Sequence, residues 1–178
     1  GDTANTLSIA AGDKIALAET LANTPANTLW AFGFRFVPTT NGESVQLARY
    51  SANPTASADR YTNAGGSAGG SVSSEATAHS IAPFAFVAKK LYVDLATAPG
   101  GATTRTMFLR QSLASSALTA QLTSTATTGN DTSHTVNVAA GDLINQMMTS
   151  SASVASTAQA RSSFVAYIAP SGVVATPY

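Results

Sequence analysis

The sequence contains no cysteine. Disulfide bonds, thiolate nucleophiles and cysteine-ligated zinc sites are therefore excluded. Charge is scarce as well. Asp, Glu, Lys and Arg together make up 10% of the 178 residues, against roughly 25% in an ordinary globular protein. Nine basic residues balance nine acidic ones, so the formal net charge is zero. Non-specific nucleic-acid binding needs a basic excess to release counterions from phosphates, and none is present. No apolar run approaches the roughly 20 residues with which a helix crosses a bilayer. The most hydrophobic stretch, residues 29–37, is interrupted by Arg35. These absences predict neither a nucleic-acid nor a membrane partner. Histidine is limited to His79 and His134, which leaves little imidazole for metal ligation or general acid–base work.

What is present is an ordinary apolar fraction of 44%, with Ser, Thr, Ala, Asn and Gly in place of charge. A chain of this length can bury roughly 70% of the surface its unfolded form exposes, so it needs no metal or crosslink to be stable. Its dominant pattern is alternation with a period of two, the mark of strands whose successive side chains point to opposite faces. Trp30, Phe32, Phe34 and Phe36 alternate with Ala31, Gly33 and Arg35. That arrangement predicts a core-facing aromatic row, with a stacking platform for sugars or bases as the alternative. The same alternation recurs at Leu91, Val93 and Leu95, at Leu118, Ala120 and Leu122, at Val136 and Val138, and at Phe164, Ala166 and Ile168.

Turn residues fall between these runs, at Thr40-Asn41-Gly42, Pro99-Gly100-Gly101, Gly129-Asn130-Asp131 and Ala140-Gly141-Asp142. Short strands with such spacing predict an all-β fold, an antiparallel β-sandwich. Residues 114–117 and 143–150 have room for a helical turn, but their Ser and Thr content argues against a long helix. Residues 6–15, Thr-Leu-Ser-Ile-Ala-Ala-Gly-Asp-Lys-Ile, echo residues 135–144, Thr-Val-Asn-Val-Ala-Ala-Gly-Asp-Leu-Ile. The echo reads equally as duplicated halves or as one turn built twice, with Gly12 and Gly141 supplying a positive φ and Asp13 and Asp142 capping. The Gly/Ser run at residues 63–71 has the composition of a flexible segment. It is read as a long loop within a single domain spanning residues 1–178. The alternative is a linker between an N-terminal lobe (1–62) and a second module (75–178).

The residues offer little chemistry. Asp131 lies three positions before His134, a spacing open to half a metal site or an oriented base, yet neither a third ligand nor a nucleophile accompanies it. A polar hairpin loop is the plainer reading. The Gly-rich run lacks the Lys-Ser/Thr ending of a phosphate loop, and the acids are scattered, without the pairing of a glycosidase or the spacing of a calcium loop. Lys89, Lys90, Arg105 and Arg110 read as a solvated strand edge, since lysine protects edges from mispairing, or else as a small basic patch. No catalytic, cofactor-binding or metal-ligating residue is assigned and no cofactor is expected. The chain is read as non-enzymatic.

Several runs in the second half carry a resemblance. They are residues 90–101 (Lys-Leu-Tyr-Val-Asp-Leu-Ala-Thr-Ala-Pro-Gly-Gly), 106–110 (Thr-Met-Phe-Leu-Arg), 118–122, 127–144 with its Ala-Gly-Asp-Leu-Ile turn, and the strand Ser163-Phe-Val-Ala-Tyr-Ile168. Over roughly residues 80–169 the chain resembles a β-sandwich module of tailed-bacteriophage structural proteins. Its last strands resemble jelly rolls of the C1q and tumour-necrosis-factor type. The resemblance implies a jelly roll, homotrimerisation and a place on the surface of a virion. The expected role is a capsid decoration or cement protein that contacts the major capsid protein and other virion proteins. The termini, residues 1–7 and 170–178, would serve as arms that reach neighbours by strand addition. The alternatives are a tail or fibre adhesin that stacks host glycan on Tyr50, Tyr61, Trp30 or Tyr92, and an extracellular filament or surface-layer subunit.

Overall fold

A computed structural model describes residues 4–16, 35–50, 58–65, 71–152 and 160–169. The alternating runs among them are strands: β1 (Glu43–Tyr50), β2 (Arg60–Asn63), β3 (Ser80–Ile81), β4 (Phe86–Leu95), β5 (Thr104–Gln111), β6 (Ala114–Thr123), β7 (Thr128–Val138), β8 (Leu143–Ser150) and β9 (Ala160–Tyr167). One turn of 3₁₀ helix lies at Glu75–Thr77. Among the described residues no helix is long and apolar enough to cross a membrane.

The pairing is that of one long hairpin. β1 pairs with β9, β2 with β8, β4 with β7 and β5 with β6, all antiparallel. Rolling such a hairpin on itself sets β9 beside β4 and β8 beside β5. The result is two sheets, ordered β1-β9-β4-β7 and β2-β8-β5-β6, with the short β3 added to β8. If β3 is set aside, every connection except the β5–β6 hairpin passes from one sheet to the other. This is a jelly roll, the antiparallel β-sandwich that the sequence predicts.

Alternation selects the core. Leu91, Val93 and Leu95 of β4, Leu118, Ala120 and Leu122 of β6, Val136 and Val138 of β7, and Phe164 and Ala166 of β9 are all buried between the sheets. Each large apolar side chain so placed contributes about 1.5–3 kcal/mol. One polar pin crosses this core: Ser162 of β9 donates to the Gln146 side chain of β8 (2.6 Å), whose amide donates to the Ala64 carbonyl (3.1 Å).

Three expectations are corrected. Residues 114–117 open β6 and residues 143–150 form β8; cross-strand partners override the weak helical signal. Gly129-Asn130-Asp131 is not a turn, because it lies inside β7 opposite Val93, Tyr92 and Leu91. Gly129 is there for close packing, since a Cβ at this position would stand 3.2 Å from the Leu122 side chain. The chain reverses earlier, at residues 124–127. The other turn expectations match the observed geometry. Gly42, Gly100, Gly101 and Gly141 all have positive φ.

The echo is one turn built twice. Gly12 and Gly141 adopt φ of +88° and +90°. The Asp13 and Asp142 carboxylates accept from the Ala10 and Ala139 amides, both at 2.8 Å. The flanks differ: residues 135–138 belong to β7, whereas residues 6–10 form no strand.

The chain divides into two compact units, residues 1–35 and 36–178, and the strands of the described residues all lie in the second. β1 and β2 precede the Gly/Ser run and pair with β9 and β8 beyond it, so that run joins strands of one sandwich. Its residues 66–70 lie outside the described residues, as do Trp30, Phe32 and Phe34, residues 1–3 and residues 170–178. Phe36 is exposed and in no strand.

Candidate functional site

The Asp131–His134 spacing does bring the two side chains together, in a strand rather than in the expected hairpin loop. β4 bulges at Lys90, which has a φ of +56°. Lys89 stands opposite Thr135 but Leu91 opposite Asp131, so residues 132–134 of β7 face Lys90 alone. This slip folds the buried Asp131 carboxylate back onto its own strand. It accepts from the amides of Ser133 and His134 (3.1 Å each), and from the Thr119 amide of β6 (3.1 Å). His134 Nδ1 lies 2.9 Å from Oδ2. Burial alone would raise the Asp131 pKa, but the Thr119, His134 and Ser133 donors outweigh it and hold the carboxyl far below its ordinary range.

β6 and β7 are the last strands of their sheets. A single carboxylate that takes amides from both closes this side of the sandwich and blunts two edges. Among the described residues no group of three or more His, Cys, Asp and Glu stands together. The pair is a structural clamp.

The basic residues form neither a solvated edge nor a patch. β4 is interior to its sheet, between β9 and β7. Lys89 and Lys90 both reach Glu43 of β1 (2.9 and 3.1 Å), and the Lys89 ammonium stands 4.3 Å over the Tyr167 ring. Lys89 and then Lys90 hold the Glu43 carboxyl below its ordinary range, against burial. Arg110 forks onto Glu75 through Nε and Nη2, each 2.8 Å from a carboxylate oxygen. This bidentate pair fixes the 3₁₀ turn on the outer side of β5. His79 Nε2 stands 4.0 Å from the same carboxylate. Arg105 differs from all of these: it points into the core, is 1% exposed, and none of its guanidinium nitrogens has a hydrogen-bond partner.

The aromatic candidates for sugar stacking are reduced. Tyr50 is fully buried, and burial pushes its phenol well above its ordinary pKa. Tyr61 and Tyr92 are half-buried, and Trp30 lies outside the described residues.

The two ends of the sandwich were not singled out in the sequence. One end gathers the starts of β1, β4, β6 and β8 with the ends of β2, β5, β7 and β9. Ile81, Phe84, Leu113 and Ile168 lie there, between 42% and 68% exposed. The Ile168 amide donates to the Gly42 carbonyl (2.9 Å), and the Gly141 amide donates to the Ala82 carbonyl (2.8 Å). Phe84 packs edge-on against buried Phe86, with ring centroids 6.5 Å apart, and remains half in solvent. At the opposite end the described loop residues include no exposed large hydrophobic side chain.

No protein-family model matches the chain, and no curated protein matches it.

Proposed function

We propose that this chain is a non-catalytic structural subunit of a virus particle, a decoration or cement protein that binds the assembled head of a tailed phage. The observation that carries the reading is the apolar end of the sandwich. Single exposed apolar residues are normal. Here four, from three separate segments, share one end of a weakly charged domain, which is what a covered surface looks like before its partner arrives. The jelly-roll order and the resemblance over residues 80–169 support the same reading.

In this reading the protein forms a homo-oligomer, a trimer by that resemblance, on the outer surface of the particle, where it contacts the major capsid protein. A stable contact of this kind buries about 1,600 Å². It strengthens the shell by mass action, since ligands that bind only the assembled state favour it. The glycan-adhesin alternative loses Tyr50, which is buried, and no observation favours the filament over the capsid.

The test is to heat particles that carry the protein, particles stripped of it and particles reloaded with it. Stripped particles are expected to release their genome at a lower temperature, and reloading is expected to restore the original one. Reloading with Ile81→Ser/Leu113→Ser protein is expected to fail. Equal release temperatures with and without the protein would remove the cement role, and its recovery on tails alone would favour the adhesin.

A further inference from the structure

The end strands of the two sheets are not protected alike. β6 and β7 are tied by Asp131, which takes the Thr119 amide of one and the Ser133 and His134 amides of the other. β2 is only four residues long, and Val72 pairs with its Tyr61 through two backbone hydrogen bonds of 2.9 Å. β1 has no such device. Among the described residues its one strand partner is β9, in an unbroken register over eight residues that include neither proline nor lysine. Long, regular edges of this kind pair readily with a further strand.

The order of residues along β1 says which strand fits. Ala48 and Tyr50 point into the core, so Glu43, Val45, Leu47 and Arg49 alternate on the outer face. Outward from Gln46 the residues match in pairs: Val45 with Leu47, Ser44 with Ala48, and acidic Glu43 with basic Arg49. An antiparallel copy of β1, with Gln46 beside Gln46, sets apolar against apolar, small against small and opposite charges together. A shift of two residues in either direction sets Glu43 against Leu47 or Arg49 against Val45.

These side chains are available for the purpose. Leu47 is 41% exposed. Lys89 and Lys90 both meet Glu43 through Oε1, which leaves Oε2 for a third cation. Arg49 is exposed and stands opposite Arg161, whose own ion-pair partner is Asp94.

We infer that β1 is a homotypic contact, through which two copies of this chain join edge to edge about a two-fold axis at Gln46. The axis is perpendicular to the sheet, so two four-stranded sheets continue into one of eight. A contact built mainly on one strand pair is small, and a dissociation constant of about 1–100 μM is expected. The inference does not rest on the capsid reading. It needs only two copies of the chain, and its two-fold contact is distinct from the trimer and the apolar end of that reading.

The chain has no cysteine, so single introduced thiols report the register. Gln46→Cys places two thiols on the axis with Cα atoms about 4.5–5.5 Å apart, within disulfide range. Mild oxidation of the full chain is expected to give a two-chain product on a non-reducing gel. Ser44→Cys lies opposite Ala48 of the copy, roughly 13 Å from its own counterpart, and is expected to cross-link far less although it is the more exposed. Sedimentation of the wild type is expected to show a concentration-dependent two-chain species. Arg49→Glu sets a carboxylate against Glu43 of the copy and is expected to weaken association by about tenfold or more. Within one copy it relieves the like-charge pair with Arg161, so the sandwich stays folded. A wild type that stays single at every concentration overturns the inference. So does association unchanged by Arg49→Glu, cross-linking that is equal at the two positions, or none through Gln46→Cys. If Gln46→Cys does not fold, the wild-type and Arg49→Glu sedimentation decides the matter.

Discussion

The two ends of this sandwich depart from ordinary burial in opposite directions. One leaves Ile81, Phe84, Leu113 and Ile168 facing water; the other encloses Arg105 and the Tyr50 hydroxyl without partners. Between them most buried side chains follow the usual rules, the unpartnered Thr62 hydroxyl being an exception. Leu118, Leu122 and Phe164 are buried, and the polar side chains of Gln146 and Ser162 in the same layer are hydrogen-bonded to one another. A sequence with so few charges buries two of them, Arg105 and Asp131, and leaves large apolar groups outside. The difference teaches that one end keeps large apolar groups in water, whereas the other keeps a charge and a hydroxyl away from it.

The middle can be broken first. Leu118→Ala is expected to destabilise the fold by about 3 kcal/mol, since a buried leucine loses both its transfer energy and its packing; urea unfolding measures this. Asp131→Asn comes next, at about 2 kcal/mol, because three amide donors and the His134 ring lose a charged acceptor. Its pH signature follows from the depressed pKa of Asp131. The stabilisation is fully present above about pH 4, where the unfolded carboxyl is ionised, and is lost as pH falls toward the much lower folded value. Wild-type protein should therefore lose stability below about pH 4, and Asp131→Asn should lack that part of the slope.

Much of the middle was legible in the sequence. Alternation named Leu91, Val93, Leu95, Leu118, Ala120, Leu122, Val136 and Val138 because strands with one face inward repeat every second residue. It failed at β8, where Asn145, Gln146, Met147 and Met148 are buried in succession, so no alternation exists to be read. Gly129-Asn130-Asp131 carries turn chemistry but uses it for close packing and a bulge. The ends were less legible still. Arg105 looked superficial because it is charged; only its place in the row Arg105, Met107, Leu109 hinted otherwise. The exposed apolar residues come from three separate segments, around residues 81–84, 113 and 168, and only the rolled topology brings them to one end.

Two smaller effects sharpen the contrast. Gly141→Ala forces an alanine into a φ of +90°, which is expected to cost about 1 kcal/mol although a Cβ there would meet nothing. Ile81→Ser and Leu113→Ser are expected to change the unfolding free energy by no more than about 0.5 kcal/mol each, as exposed substitutions do. Together they should nevertheless weaken particle binding by roughly tenfold or more, as loss of central apolar contacts does. A large loss of stability in this pair would show that the apolar end serves the domain itself.

Amide hydrogen exchange on the protein alone and on the particle-bound protein bears most directly on the idea that this end is where partners attach. Slowed exchange on binding should concentrate in residues 36–42, 81–85, 112–113 and 139–142. Protection confined to the opposite end, or exchange that is the same in both states, would contradict it.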